Sequence, residues 1–222
     1  MLISDQSVLN TQHERTQHFT LSMSKGDDTK AMIIEKAASL FNQQGYAGSS
    51  MSDIMQVTGL QKGGIYNHFR SKDDLALQAF DYAVSQIQKR YREAWASKQH
   101  AVDRLQAIVD VFRIYIDNPE NPIIKGGCPL LNTAIESDDA HPALKARAQQ
   151  AMDSWRQLFR RIIEKGIKKG EVNPNIDADE VTSIMISLLE GSIMMSKLND
   201  DSVHLERAIK HLTNYINSNL RV

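Results

Sequence analysis

Residues 49–75 read SSMSDIMQVTGLQKGGIYNHFRSKDDL. The stretch predicts a short helix, a tight turn, a second short helix, a basic loop and the start of a third helix. Ser50 is a good N-cap, and Asp53 stands three residues on, where a capping box has its acidic partner. Ile54, Val57 and Leu60 are spaced to give one buried face and an apolar turn residue. Gly59 suits the left-handed position that ends such a helix. The second helix is expected over residues 61–68, with Ile65 and Phe69 four apart and facing the same core. Its outward face offers Gln61, Lys62, Asn67 and His68, which can hydrogen-bond or carry charge. Gly63 and Gly64 cost roughly 1 kcal/mol each relative to alanine in a helix interior. Their use at the leading end points to a backbone that something must approach closely. A helix-turn-helix lays its second helix in the major groove of DNA. Lys72, beside the N-terminus of the helix opened by Asp73 and Asp74, makes a phosphate site. A packed helical pair with a solvated lysine is the plainer alternative.

The segment IYNHFRSKDDL, preceded by Gly63 and Gly64, resembles the most regular part of the tetracycline-repressor (TetR) family. There a Gly, a small or apolar residue, Tyr, any residue, His or Tyr, and Phe lead into Ser-Lys and an acidic pair. Residues 33–45, IIEKAASLFNQQG, followed by Tyr46 and a Ser-rich segment, resemble that family's first helix and its exit. The resemblance implies that Ser50, Lys62, Gly63, Tyr66, His68 and Lys72 lie at or near DNA, mostly on phosphates. The chain departs from the pattern at Gly64, where Thr or Ser is common, and at Met55-Gln56, where pairs of Ala and a small residue are common. A hydroxyl contact at Gly64 is therefore not implied.

The first helix is expected over residues 29–44, with Ile33, Ala37, Leu40 and Phe41 on one face. The three helices form a head so small that it is marginal alone. Its natural support is a long helix over residues 73–96 with two apolar stripes, Leu75, Ala79 and Tyr82 on one side and Phe80, Val84, Ile87 and Tyr91 on the other. Residues 1–28 form a polar tail expected to be disordered, the alternative being an arm lying on DNA or on the body, and Met23 is a candidate start. The organisation expected is all-α: tail 1–28, helix-turn-helix head 29–74, and a helical ligand-binding and dimerisation domain 75–222.

Within that second domain, helices are expected over residues 102–116, 141–169, 177–198 and 203–219, from Leu105 through Phe112, from Leu144 through Ile163, from Val181 through Met195, and from Leu205 through Ile216. The segment NPENPIIKGG at 118–127 breaks the pattern, and its two glycines should turn Cys128 into or beside a cavity. Cys128 reads as a buried small side chain or as a reactive thiol, which would need a nearby cation such as Lys125. A subset of the family has a similar Gly-Cys segment lining the second domain. The basic half of the helix ending near Lys169 reads as a solvated face. The helix over 177–198 is more apolar than one small core should bury, and the resemblance implies that the last two helices pair with their copies as a four-helix bundle, core packing within one chain being the alternative.

Composition limits the alternatives. The 222 residues carry a formal net charge of −1, so nucleic-acid binding must use a local patch. One cysteine excludes an intramolecular disulfide and suits a reducing compartment. No signal peptide or continuous membrane-spanning run is apparent, so a cytoplasmic protein is expected. Catalytic triads, metal-ligand spacings and phosphate-binding loops after a strand are not recognisable, which argues against an enzyme. No cofactor is implied. The function expected is a homodimeric repressor of transcription, released from a pseudo-palindromic duplex operator by a small, largely apolar effector. Phe112, Cys128, Asn132, Trp155, Phe159 and Met185 are its candidate contacts. A thiol-based sensor acting through Cys128, and a helical interaction protein that does not bind DNA, are the alternatives.

Overall fold

The computed structural model describes residues 25–120, 122–137 and 140–222. The expected disorder of residues 1–24 and the candidate start at Met23 lie outside them. The described chain is helical, and its single bridge of extended backbone joins Val172 to Arg221.

Helix α1 spans Lys25–Gln44. It begins four residues before the position expected, so residues 25–28 belong to the head rather than to a tail. Asp27 and Asp28 fall in its first turn, where carboxylates complement the helix dipole. Helix α2, Met51–Thr58, has the expected capping box: the Ser50 hydroxyl accepts from Asp53 N at 3.2 Å, and the Asp53 carboxylate accepts from Ser50 N at 2.7 Å. The bond that the Ser50 hydroxyl donates to the same carboxylate, and then the one from Ser50 N, hold the Asp53 carboxyl below its ordinary range. Gly59 ends α2 in the left-handed region at φ 73°. Helix α3, Lys62–Tyr66, is one short turn. Ile33, Ile54, Ile65, Phe69 and Leu75 close one core under these three helices, and Ile124 enters it from a distant part of the chain.

Helix α4, Lys72–Trp95, carries both stripes. Leu75, Ala79 and Ala83 belong to the head core, while Phe80 and Tyr91 belong to the body core. In the body, α5 (Ala101–Val111) stops earlier than the apolar spacing predicts. The chain tightens at Phe112 and Arg113, with Phe112 N–H on Val109 O and Arg113 N–H on Asp110 O, then resumes as α6, Ile114–Asp117. Helix α7, Pro129–Ser137, is not anticipated by the apolar spacing. Helices α8 (Pro142–Lys168), α9 (Ala178–Asn199) and α10 (Val203–Tyr215) follow, and α10 widens into one π turn over Ile216–Leu220. Helix α9 is long and apolar enough in composition to cross a membrane. Its inner residues Val181, Met185, Leu189 and Ile193 are instead packed in the body core.

Candidate DNA interface and effector cavity

The head presents its polar residues outward. Gln61, Lys62, Tyr66 and Asn67 are exposed around α3, and His68 is half-buried beside Phe69. A Cβ built on Gly63 would meet no heavy atom within 4 Å, and one on Gly64 would meet only Leu60 Cβ at 3.7 Å. Packing within the chain therefore gives no reason for either glycine. The bare surface is compatible with close approach by a separate molecule. Ser50 is exposed, but its hydroxyl is already engaged by Asp53.

Lys72 is differently placed from the other cations. It is the first residue of α4, after the Ser71 N-cap. Its ammonium donates to Tyr46 O at 2.6 Å and lies 4.1 Å from the centre of the Tyr46 ring. The Tyr46 hydroxyl donates to the Asp73 carboxylate. Burial, with that bond and the charge of Asp73, pushes the Tyr46 phenol up to about 12. His141 Nδ1 accepts from Leu144 N at 3.1 Å at the start of α8, which leaves the proton on Nε2, 3.6 Å from Asp73 Oδ1.

This cluster is one part of a seam between head and body. Glu136 of α7 accepts from Tyr46 N and Ala47 N, both at 2.8 Å. Asn132 donates to Asn42 Oδ1 at 2.8 Å and to Gly126 O at 2.9 Å, and Asn42 donates to Lys125 O and Gly127 O. Two glycines make the approach possible. Gly45 has φ 78°, and a Cβ there would lie 2.6 Å from Glu136 Oε1; Gly126 has φ 103°, and a Cβ there would lie 2.6 Å from Asn42 O.

Below the seam lies a cavity of about 370 Å³, within the range of small-molecule sites. Val84, Ile87, Tyr91 and Trp95 of α4, Phe112, Tyr115, Cys128, Leu130, and Ala151, Trp155 and Leu158 of α8 give it apolar walls. The exposed residues Gln88, Arg92, Ser154, Gln157 and Arg161 mark its mouth. Tyr91, Phe112 and Trp155 lie nearly parallel, with centroids 6.1 to 6.3 Å apart.

Of the residues expected to contact an effector, Phe112, Cys128 and Trp155 line this cavity. Asn132, Phe159 and Met185 do not. Asn132 is spent on the seam. Phe159 stands edge-on behind Trp155 at 5.8 Å and is fully buried, as is Met185. Apolar spacing marks a residue as interior without saying whether it faces a void or other side chains. That spacing does not pick out Tyr91, Trp95, Tyr115 and, above all, Glu190 as cavity residues. Glu190 lines the cavity at 6% exposure, and its Oε1 accepts from Cys128 Sγ at 3.1 Å. Burial pushes its carboxyl up to about 7. Burial, then the charge of Glu190, pushes the Cys128 thiol up in turn. A charged residue inside an otherwise apolar helix is the signal that could have found it.

The chain matches known families in both parts. The family model for bacterial regulatory proteins of the tetR family covers residues 33–79, and that for the tetracyclin repressor-like C-terminal domain covers residues 101–212. A TetR transcriptional regulator from Chloroflexus aurantiacus J-10-FL is 45% identical in its crystal structure, over 90% of this chain and 100% of that one, with a TM-score of 0.84. The HTH-type transcriptional regulator YxaF of Bacillus subtilis is 26% identical over 82% of this chain and 92% of its own length. The HTH-type transcriptional repressor DhaR of Mycobacterium sp. strain GP1 is 22% identical over 79% and 85%. With its head and body each matched, the chain belongs to the TetR family of transcriptional regulators.

Proposed function

We propose that this regulator is a homodimeric repressor whose α3 helices enter the major grooves of a pseudo-palindromic operator, and that an effector in the cavity releases it. The observation that carries the reading is the exposed, polar α3 with open space over Gly63 and Gly64. Gln61, Lys62, Tyr66, Asn67 and His68 contact the duplex. Lys72 and the N–H groups at the start of α4 hold a phosphate, with Tyr46 O and the Tyr46 ring positioning the lysine ammonium.

Dimerisation is supported by Ile184, Met194, Met195 and Leu198, large apolar residues 42 to 79% exposed on one helix, α9. The outward residues of α10, among them Glu206, Arg207, Lys210 and His211, are polar. The reading thus gives α9 the apolar part of the interface. The similarity to DhaR, named a repressor, supports the direction of control. Opposed binding of effector and DNA follows from linkage if the effector favours a head spacing that fits the operator poorly. The thiol-sensor alternative is disfavoured because burial and Glu190 hold Cys128 in the protonated form, opposite to a reactive thiolate.

The test is selection of bound duplexes from a random pool, followed by fluorescence anisotropy against salt. An inverted repeat should emerge. Lys62→Ala should narrow the gap between selected and random duplex. Lys72→Ala should weaken both alike and lower the salt slope by about one unit. Unchanged affinity and slope in both variants would place the interface elsewhere.

A further inference from the structure

Glu190 is a costly residue in its setting. It is 6% exposed and lines an apolar, aromatic cavity. The Cys128 thiol serves Oε1, but Oε2 is buried without a hydrogen-bond partner. No basic side chain among the described residues lies on the inner wall. The two arginines among the lining residues, Arg92 and Arg161, are exposed at the mouth. A carboxylate so placed loses hydration without gaining a counter-charge, and a leucine would fill the position at less expense. Around it, Tyr91, Phe112 and Trp155 present ring surface, the kind of wall that attracts cations. Trp155 Nε1 is a second buried polar atom without a partner, and it can only donate.

We infer that the cavity takes an apolar organic amine, its ammonium lodged against Glu190 Oε2 and the aromatic rings. This rests on the cavity being the effector site and narrows the effector to one chemical class. The cation supplies the missing counter-charge and the missing donor at the same atom. An acceptor elsewhere on the compound would satisfy Trp155 Nε1. Burial pushes the Glu190 carboxyl up to about 7, so an arriving ammonium meets an ionised group above that pH and displaces a proton below it.

Three probes of one shape separate the charge from the apolar body: 4-phenylbutylamine, 4-phenylbutanol and 4-phenylbutyrate. Calorimetric titration of the full-length protein above neutral pH should show the amine binding at least about tenfold more tightly than either of the others. Glu190→Gln should bring the amine to within about threefold of the alcohol while leaving the alcohol unchanged. An alcohol or acid that binds as tightly as the amine overturns the proposal, as does an amine preference that survives Glu190→Gln, or no binding by any probe. The comparison on the unaltered protein holds whether or not the variant folds. Operator release, followed in parallel, separates the two claims. An amine that binds through Glu190 yet leaves DNA affinity unchanged upholds the amine site and sinks effector control. Release of DNA by the alcohol but not the amine upholds control and sinks the amine site.

Discussion

The head and the cavity solve different problems with different materials. The residues proposed to face DNA are drawn from one continuous stretch between Ser50 and Lys72, where Ser50 caps α2 and Ser71 caps α4. The cavity is assembled from α4, α5 and its continuation, α7, α8 and α9, and its most polar contact joins residues 62 positions apart. On the proposed reading the head works on its outside, where bare glycines and polar side chains would meet a rigid duplex. The cavity, on the same reading, works inside, where one carboxylate is held at a cost to stability. Surface recognition here is locally encoded, whereas interior recognition depends on the whole body being folded.

The largest effects should come from removing one large buried ring on each side. Phe69 and Phe159 are both almost fully buried. Each change to alanine should cost about 3–5 kcal/mol. Phe69→Ala should loosen the head and abolish operator binding while the cavity still takes its ligand. Phe159→Ala should remove the support behind Trp155 and weaken ligand binding. Hydrogen exchange, with anisotropy and calorimetry, checks both; loss of both activities in either variant would show that the two parts fold as one unit.

The next effect is a pH dependence confined to the interior. The Glu190 carboxyl titrates at its ordinary 4.5 in the unfolded chain and at about 7 when folded, so the folded protein keeps a proton that the unfolded chain releases. Its contribution to stability is complete below pH 4.5 and is lost as pH rises through about 7, a change of about 3 kcal/mol. The titratable groups around it, Cys128, Tyr91 and Tyr115, are all pushed upward and stay neutral across that window. Glu190→Gln should therefore unfold at a higher temperature than the unaltered protein at pH 8, and the gap should close in acid. Parallel melting curves for the two proteins at every pH would refute the assignment.

Smaller again is the cap. Ser50→Ala should cost about 1 kcal/mol, seen as faster exchange of the α2 amides with the cavity amides unchanged. Smallest in stability is Gly63→Ala. Since its Cβ meets nothing, it should leave melting unchanged or raise it by up to about 1 kcal/mol. It should nevertheless weaken operator binding, and unaltered affinity would mean that DNA does not approach this turn.

How far each part can be read from the sequence follows from the same contrast. Ser50, Asp53 and Gly59 specify α2 through bonds within a few residues, and the structure shows them. The two stripes of α4 likewise appear in the two cores. Helix α7 escapes notice because Gly126, Gly127 and Pro129 read as a loop, although Pro129 is acceptable in a first helical turn. Asn132 reads as a cavity residue because its partners, Asn42 and Gly126, are fixed only by docking of the head on the body. Glu190 is hidden because the apolar spacing of α9 dominates its reading, and the cavity that gives the carboxylate meaning is enclosed by four other parts of the chain.

The seam between head and body sets conditions for building hybrids. Its hydrogen bonds go largely to main-chain atoms of Asn42, Gly126, Tyr46 and Ala47, which any sequence can supply. Less free to vary are Asn42, Gly45, Tyr46 and Asp73 on one side, and Gly126, Asn132, Glu136 and His141 on the other. A foreign head carrying those four residues, and packing on the head-facing stripe of α4 and on Ile124, should therefore dock on this body. Operator choice and inducer choice would then be separable parts, joined through α4 and a seam of polar contacts.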